Sequence, residues 1–182
     1  MKNVVPKNIV LGITGSIAAY KAADIANTLT KEGVAVHAVM TRAAQHFITP
    51  LTLQTLTGRK VSTDMFAEMG NEDVRHISLA KNADAVLIAP ATANIIAKIA
   101  AGIADDYLST VVLAAWQKPL FIAPAMNTAM WENPITRANI ETLKTRGAFF
   151  IEPRQARLAC GDLGKGAMAD VSEIVRIVRE AL

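Results

Sequence analysis

The string Pro124-Ala125-Met126-Asn127-Thr128-Ala129-Met130-Trp131 places an amide, two thioethers and an indole where a loop ordinarily carries small polar or charged groups. On residue types alone it reads as a packed turn. Gly12-Ile13-Thr14-Gly15-Ser16 has a different chemistry. Its glycines allow a tight turn that brings backbone N–H groups against a phosphate at a helix N-terminus, and Ser16 can cap that helix or donate to the phosphate. The same string also serves as a plain turn. No acidic residue lies between Glu32 and Asp64. An NAD site wants a carboxylate there for its ribose hydroxyls, so NAD is disfavoured. Thr41 remains, as a hydroxyl donor to phosphate or as an ordinary strand-end residue. In Pro90-Ala91-Thr92-Ala93-Asn94, small residues let a flat ring approach the backbone, and Thr92 and Asn94 offer hydrogen bonds. That segment also reads as a helix cap, and the two roles are compatible.

Of the three histidines, His37 lies in a strand-like run and His46 in an apolar context, and both read as structural. His76 opens a helix-like run just before a buried strand, where a structural role and an acid–base role are equally open. Cys160 is the single cysteine, which excludes an intramolecular disulfide and fits a reducing compartment.

The elements that must position these residues alternate. Strands are expected at 8–14, 34–40, 84–89, 119–123 and 148–151. Helices are expected at 16–32, 51–56, 74–82, 93–103, 106–116, 134–146 and 171–181. Strands alternating with helices predict an α/β fold with a doubly wound parallel sheet in a single domain spanning 1–182. Ligands of such sheets sit at the carboxyl ends of the strands, where strand order reverses. The segment 152–170, with Gly161, Gly164 and Gly166, has too little periodicity for an element and reads as a flap.

Composition narrows the function. The chain is 52% hydrophobic, enough for a sizeable core, and its apolar residues are mostly Ala, Val, Ile and Leu. No apolar run approaches a membrane span, and the N-terminal stretch lacks a small-residue cleavage site, so a cytoplasmic protein is expected. The net charge of +3 is spread along the chain, which argues against nucleic acid and suits an anionic small substrate.

Five strings, GITGSIAAYK, VRHISLA, APATANIIAKIAAGIAD, PAMNTAMW and LACGDLGKGAM, occur in the order found in the homo-oligomeric flavin-containing cysteine decarboxylases. The chain resembles that family over essentially its whole length, and PAMNTAMW matches its PxMNxxMW signature. The resemblance implies a Rossmann-like flavoprotein and a homotrimer or homododecamer with FMN at a subunit contact. By position, Gly15, Ser16, Ile17, Thr41, Thr92, Ala93, Asn94 and Ala125 would line the FMN site. His76 would be the active-site histidine, and Asn127 would hold the substrate carboxylate with Met130 beside it. Arg157, Leu158 and Ala159 would belong to the flap over the substrate. Cys160 would donate a proton, against its plain reading as a small apolar residue.

The chemistry so implied is the decarboxylation of 4′-phosphopantothenoylcysteine, a phosphorylated thiol, to 4′-phosphopantetheine in coenzyme A biosynthesis. A cysteine carboxylate has no electron sink. Oxidation of CH2–SH to a thioaldehyde puts C=S β to the carboxylate, so loss of CO2 gives a stabilised enethiolate. His76 would take the proton released in the oxidation. A hydride returned by the cofactor and a proton from Cys160 would then saturate the enethiol. The alternative is a lantibiotic-type peptidyl-cysteine decarboxylase, which stops at the enethiol and needs no donor at Cys160. A flavin prenyltransferase is disfavoured by PAMNTAMW and His76. Many bifunctional bacterial members have Arg where this chain has Ala167; Gly166-Ala167-Met168 is nearer to the stand-alone enzymes.

Overall fold

The computed structural model describes residues 6–65, 75–157, 161 and 163–182. β1 (Asn8–Ile13) is a continuous apolar run in which Ile9, Val10, Leu11 and Ile13 have no exposed surface. Such a strand is stable only with both faces covered. Its neighbours are β2 (Ala35–Met40) on one side and β3 (Ala85–Ala91) on the other, followed by β4 (Leu120–Pro124) and β5 (Phe149–Phe150). All pairs are parallel, in the order β2-β1-β3-β4-β5. Leu11 stands level with Ala38 of β2 and Leu87 of β3.

Alternate side chains serve two cores. Ile9, Leu11 and Ile13 pack with Ile25 and Leu29 of α1 (Lys21–Lys31), Leu53 of α2 (Pro50–Thr57) and Ile174 and Val178 of α8 (Val171–Glu180). Val10, Val86 and Ile88 pack with Ala80 of α3 (Arg75–Asn82), Ile95 and Ile96 of α4 (Ala93–Ala101), Leu108 of α5 (Tyr107–Ala114), and Ile140 and Leu143 of α7 (Pro134–Thr145). Each fully buried Ile or Leu contributes about 1.5–3 kcal/mol relative to leaving it exposed. The expected doubly wound α/β domain is the one observed.

Three local features differ from the sequence reading. The first helix opens with a 3-10 turn, Ile17–Tyr20, before α1 begins at Lys21. A short helix, α6 (Thr128–Glu132), lies inside the PAMNTAMW string, capped by Asn127 and followed by Pro134 at the start of α7. The segment expected to lack elements holds β6 (Arg154–Arg157) paired antiparallel with β7 (Leu163–Ala167). RQAR and LGKGA carry no β-branched or aromatic alternation, so strand propensity is silent there. Contacts from elsewhere in the chain hold that ribbon.

His37, in β2, bonds Asn8 Oδ1 at 3.2 Å, while burial and the charge of Arg59 keep its pKa below the ordinary value. It is tied into the sheet. His46 is exposed on a 3-10 turn, Ala44–His46.

Candidate functional site

Strand order reverses between β1 and β3, so the two loops leaving those strands diverge and leave a crevice between them. One buried hydroxyl joins the two loops. Thr14 Oγ1 donates to the Pro90 carbonyl at 2.7 Å and accepts the Thr92 N–H at 3.1 Å. The Ser16 N–H donates back to the Thr14 carbonyl at 2.9 Å, and Ser16 Oγ accepts the Ala18 N–H at 3.3 Å, capping the 3-10 turn. A Cβ at Gly15 would lie 2.5 Å from Ala43 Cβ, so only glycine lets this loop meet the one leaving β2. Thr41 completes that junction. Its N–H donates to the Ile13 carbonyl at 3.0 Å, and its Oγ1 accepts the Ala44 N–H at 3.3 Å.

The two remaining strand ends close the other side. Thr92 Oγ1 accepts the Ile95 N–H at 3.4 Å and caps α4, with Ala93 half-buried and Asn94 exposed. The Ala125 N–H donates to the Ala91 carbonyl at 2.9 Å, joining the ends of β3 and β4. Asn127 Oδ1 accepts the Ala129 N–H at 2.8 Å, which starts α6 and fixes the amide plane.

Ser16, Ile17, Ala125, Asn127 and Arg157 line one cavity of about 400 Å³. This is the size of a small-molecule site. Lys21 and Arg154 also line it, and no Asp or Glu among the described residues does. Thr41, Thr92, Ala93, Asn94 and Met130 do not line it; Thr41 and Thr92 stand on the neighbouring loops of the crevice, Ala93 and Asn94 open α4, and Met130 is 48% exposed on α6. His76 is half-buried on α3, its ring edge-on to Tyr107 with centroids 6.4 Å apart, and it does not line the cavity of its own chain. Leu158, Ala159 and Cys160 lie outside the described residues. A smaller, apolar cavity of about 170 Å³ lies beneath Trp116 and Leu113, among α4, α5 and α7, and none of these site residues lines it.

The β6–β7 ribbon is seated on the PAMNTAMW string. The Met126 N–H donates to the Gly166 carbonyl at 3.0 Å. A side chain at Gly166 would strike the Met126 carbonyl, and one at Gly164 would strike Thr128 Oγ1, so β7 must be glycine-rich to lie this close. Between those glycines, Lys165 points its ammonium over the Trp131 ring, 5.6 Å from the centroid, and pairs with Glu152 at 2.8 Å. The Arg137 guanidinium lies 4.9 Å from the same ring. Burial raises the Glu152 pKa, but the Lys165 hydrogen bond and the charges of Lys165, Lys144 and Arg137 outweigh it and leave the carboxyl below its ordinary value.

Sequence reasoning assigned no role to Thr14 or Lys165. Thr14 sits in the glycine string it singled out, but its partner is 76 residues away. Lys165 carries no local signal.

Residues 2–182 match the family model described as Flavoprotein. The chain belongs to the Flavoprotein family. This flavoprotein is 49% identical over 177 residues to a probable phosphopantothenoylcysteine decarboxylase of Streptococcus mutans, covering 97% of this chain and 99% of that protein. It is 44% identical over 180 residues to the coenzyme A biosynthesis bifunctional protein CoaBC of Vibrio vulnificus, covering 99% of this chain and 45% of that protein. The flavoprotein thus spans about half the length of its bifunctional relatives. A solved PPC decarboxylase mutant complexed with pantothenoylaminoethenethiol matches it with a TM-score of 0.85 at 38% identity, over 97% of this chain and 98% of that one. An FMN binding protein matches with a TM-score of 0.82 at 38% identity, over 97% and 96% of the two chains.

Proposed function

We propose that this flavoprotein is an FMN-dependent carboxy-lyase that converts 4′-phosphopantothenoylcysteine to 4′-phosphopantetheine in coenzyme A biosynthesis. The observation that carries the reading is a cavity at the β1–β3 switch point, lined by Ser16, Asn127 and Arg157 together, with no carboxylate among its described lining residues. The relatives' names point the same way.

The residues present fit FMN. Gly15 keeps the β1 and β2 loops in contact, and the hydroxyls of Ser16, Thr41 and Thr92 and the backbone of Ile17, Ala93 and Ala125 offer neutral partners around the crevice. Asn94, exposed at the start of α4, adds a further amide. When bound, FMN supplies the removal of two electrons from the substrate CH2–SH group and their later return.

The chain's own groups do the rest. The Asn127 carboxamide orients the substrate carboxylate through N–H donors and brings no fixed positive charge that would favour keeping it. His76 accepts the proton released as the thiol is oxidised. Once the C=S lies β to the carboxylate, CO2 leaves and the enethiolate remains. Cys160 protonates carbon as the double bond is saturated. Met130 flanks the reacting groups, and the 152–170 flap, with Arg157, Leu158 and Ala159, excludes water over them.

His76 stands away from the cavity of its own chain. A homotrimer or homododecamer in which His76 completes a neighbouring copy's site accounts for this. No described helix is long and apolar enough to cross a membrane, and the reading places the enzyme in the cytoplasm with coenzyme A synthesis.

Product mass tests the proposal. Purified protein given phosphopantothenoylcysteine should be yellow with FMN and release a product lighter by CO2 alone. A product lighter by CO2 and two further hydrogens would make it an oxidative peptide-type decarboxylase. Failure to bind FMN would overturn the reading altogether.

A further inference from the structure

The apolar cavity of about 170 Å³ stands at the opposite end of β4 from the crevice. Leu120, which opens that strand, lines it, whereas Ala125, just past the strand's end, lines the 400 Å³ cavity. Buried Val86, Val112 and Leu143 form its inner wall. Leu113 and Trp116, 51% and 77% exposed, stand at its mouth. Exposed apolar surface around a concavity marks a place that something covers. The polar groups here narrow what that is. α4, α5 and α7 all end at this pole, and helix ends expose carbonyls that favour a cation. The carbonyls of Lys98, Ile99 and Leu143 are already taken by the N–H groups of Ile103, Gly102 and Ala148, at 2.9, 3.2 and 3.0 Å. Those of Val111 and Ala115 accept the Ala115 and Lys118 N–H groups at 2.9 and 2.8 Å, and that of Ala100 accepts Arg146 Nη1 at 3.0 Å. Ser109 Oγ is spent on Asp106 Oδ1 at 2.9 Å. The charged groups lining the cavity are Lys118 and Arg146, and neither has a carboxylate partner among the described residues.

We infer that this cavity is a second ligand site, separate from the crevice, which takes the ring of a small aromatic carboxylate while Lys118 and Arg146 hold the carboxylate at its mouth. The inference goes beyond the decarboxylase reading and does not depend on it. Size sets the apolar part of the ligand. An engineered apolar cavity of roughly 150 Å³ in another protein takes up one benzene, so this one holds a single ring and not a long acyl chain. A ring also offers an edge or a face to the Trp116 indole. Charge sets the polar part. Two unpaired cations beside an apolar hollow, with no Asp or Glu among the described lining residues, complement an anion. A carboxylate on a short tether from the ring meets both demands. The Arg146 terminal nitrogen that Ala100 leaves unused and the mobile Lys118 ammonium are its donors.

The test titrates 3-phenylpropionate, 3-phenylpropanol and propionate into the FMN-loaded protein and follows binding by saturation-transfer NMR. The acid should bind in the millimolar range, as suits so small a ligand. It should bind about tenfold more tightly than the alcohol, which lacks the charge, and than propionate, which lacks the ring. Lys118→Gln with Arg146→Gln should bring the acid down to the level of the alcohol. Lys118→Arg with Arg146→Lys keeps both charges and should bind as wild type does, which separates lost charge from lost folding. The crevice also carries cations, so Lys21→Gln serves as the control and should leave the titration unchanged. No binding of the acid to wild type would overturn the site, as would equal affinity for acid and alcohol. Binding lost in Lys21→Gln and kept in the Lys118/Arg146 double variant would put the probe in the crevice and overturn it too. Sedimentation of Trp116→Ser tests the remaining occupant: an oligomer that falls apart would make this face a contact between copies of the chain and not a ligand site.

Discussion

Thr14 Oγ1 donates to the Pro90 carbonyl at 2.7 Å across the point where strand order reverses, and it is buried to 2% exposure. The same oxygen accepts the Thr92 N–H at 3.1 Å. Two loops that leave adjacent strands in diverging directions are held at a fixed separation by one side chain.

Thr14→Val keeps the shape and removes the hydroxyl, leaving a carbonyl and an N–H unpaired in a buried place. The expected loss is about 1–3 kcal/mol of stability, with weaker FMN retention, while Thr14→Ser stays close to wild type. Thermal melts with and without added FMN check this. A Val variant that melts and holds FMN like wild type would show that the crevice needs no such tie.

Two inactive variants should complement each other if His76 serves a neighbouring copy. His76→Asn should keep FMN but lose CO2 release and substrate-driven bleaching of the flavin absorbance. Asn127→Asp should keep FMN but fail to bind substrate, because like charges repel in a partly desolvated pocket. Oligomers assembled from both variants should recover a fraction of activity. If verified mixed oligomers stay inactive while each variant is folded, His76 and Asn127 work within one chain.

Cys160→Ser should separate the two halves of the reaction. A serine hydroxyl is close in size to the thiol and far less acidic, so CO2 should still leave while the enethiol, two hydrogens lighter than 4′-phosphopantetheine, accumulates. Mass spectrometry under anaerobic conditions reads this directly. Fully saturated product at the wild-type rate would remove Cys160 from the donor role.

The ribbon's clasp predicts a pH effect of definite sign. Glu152 has a folded-state pKa below its ordinary value, so its contribution is fully present above the ordinary glutamate range and is lost as pH falls through and below it. Trp131 reports the clasp once the exposed Trp116 is replaced by Phe. Its fluorescence should change on acidification through that window, and Lys165→Met should show the acid-like signal at neutral pH. The same variant should raise KM more than it lowers kcat, with a stability change below about 1 kcal/mol because the pair is half-exposed. A signal indifferent to both acid and substitution would dissolve the clasp.

Much of this protein was legible along the chain because the deciding forces are short-range. Apolar runs such as Ile9–Leu11 declare strands buried on both faces, and a cap such as Thr92 declares a helix start. The order of motifs resembled one family, to which the full-length match assigns it. The crevice position also followed, since a doubly wound sheet has a switch point wherever its connections reverse.

Other features depended on contacts that no local pattern encodes. Thr14 reads as one more turn residue until the sheet order β2-β1-β3 brings Pro90 to its hydroxyl. The β6–β7 ribbon has poor strand composition and exists because Gly164 and Gly166 let it lie on Met126 and Thr128, with Lys165 reaching Trp131 and Glu152. Sequence spacing set His76 just ahead of a ligand-facing strand, but helix packing turned its ring to Tyr107. Propensity and capping act over a few residues. Which distant side chains meet is set by strand order and helix packing, and those arise only when the whole chain closes its two cores.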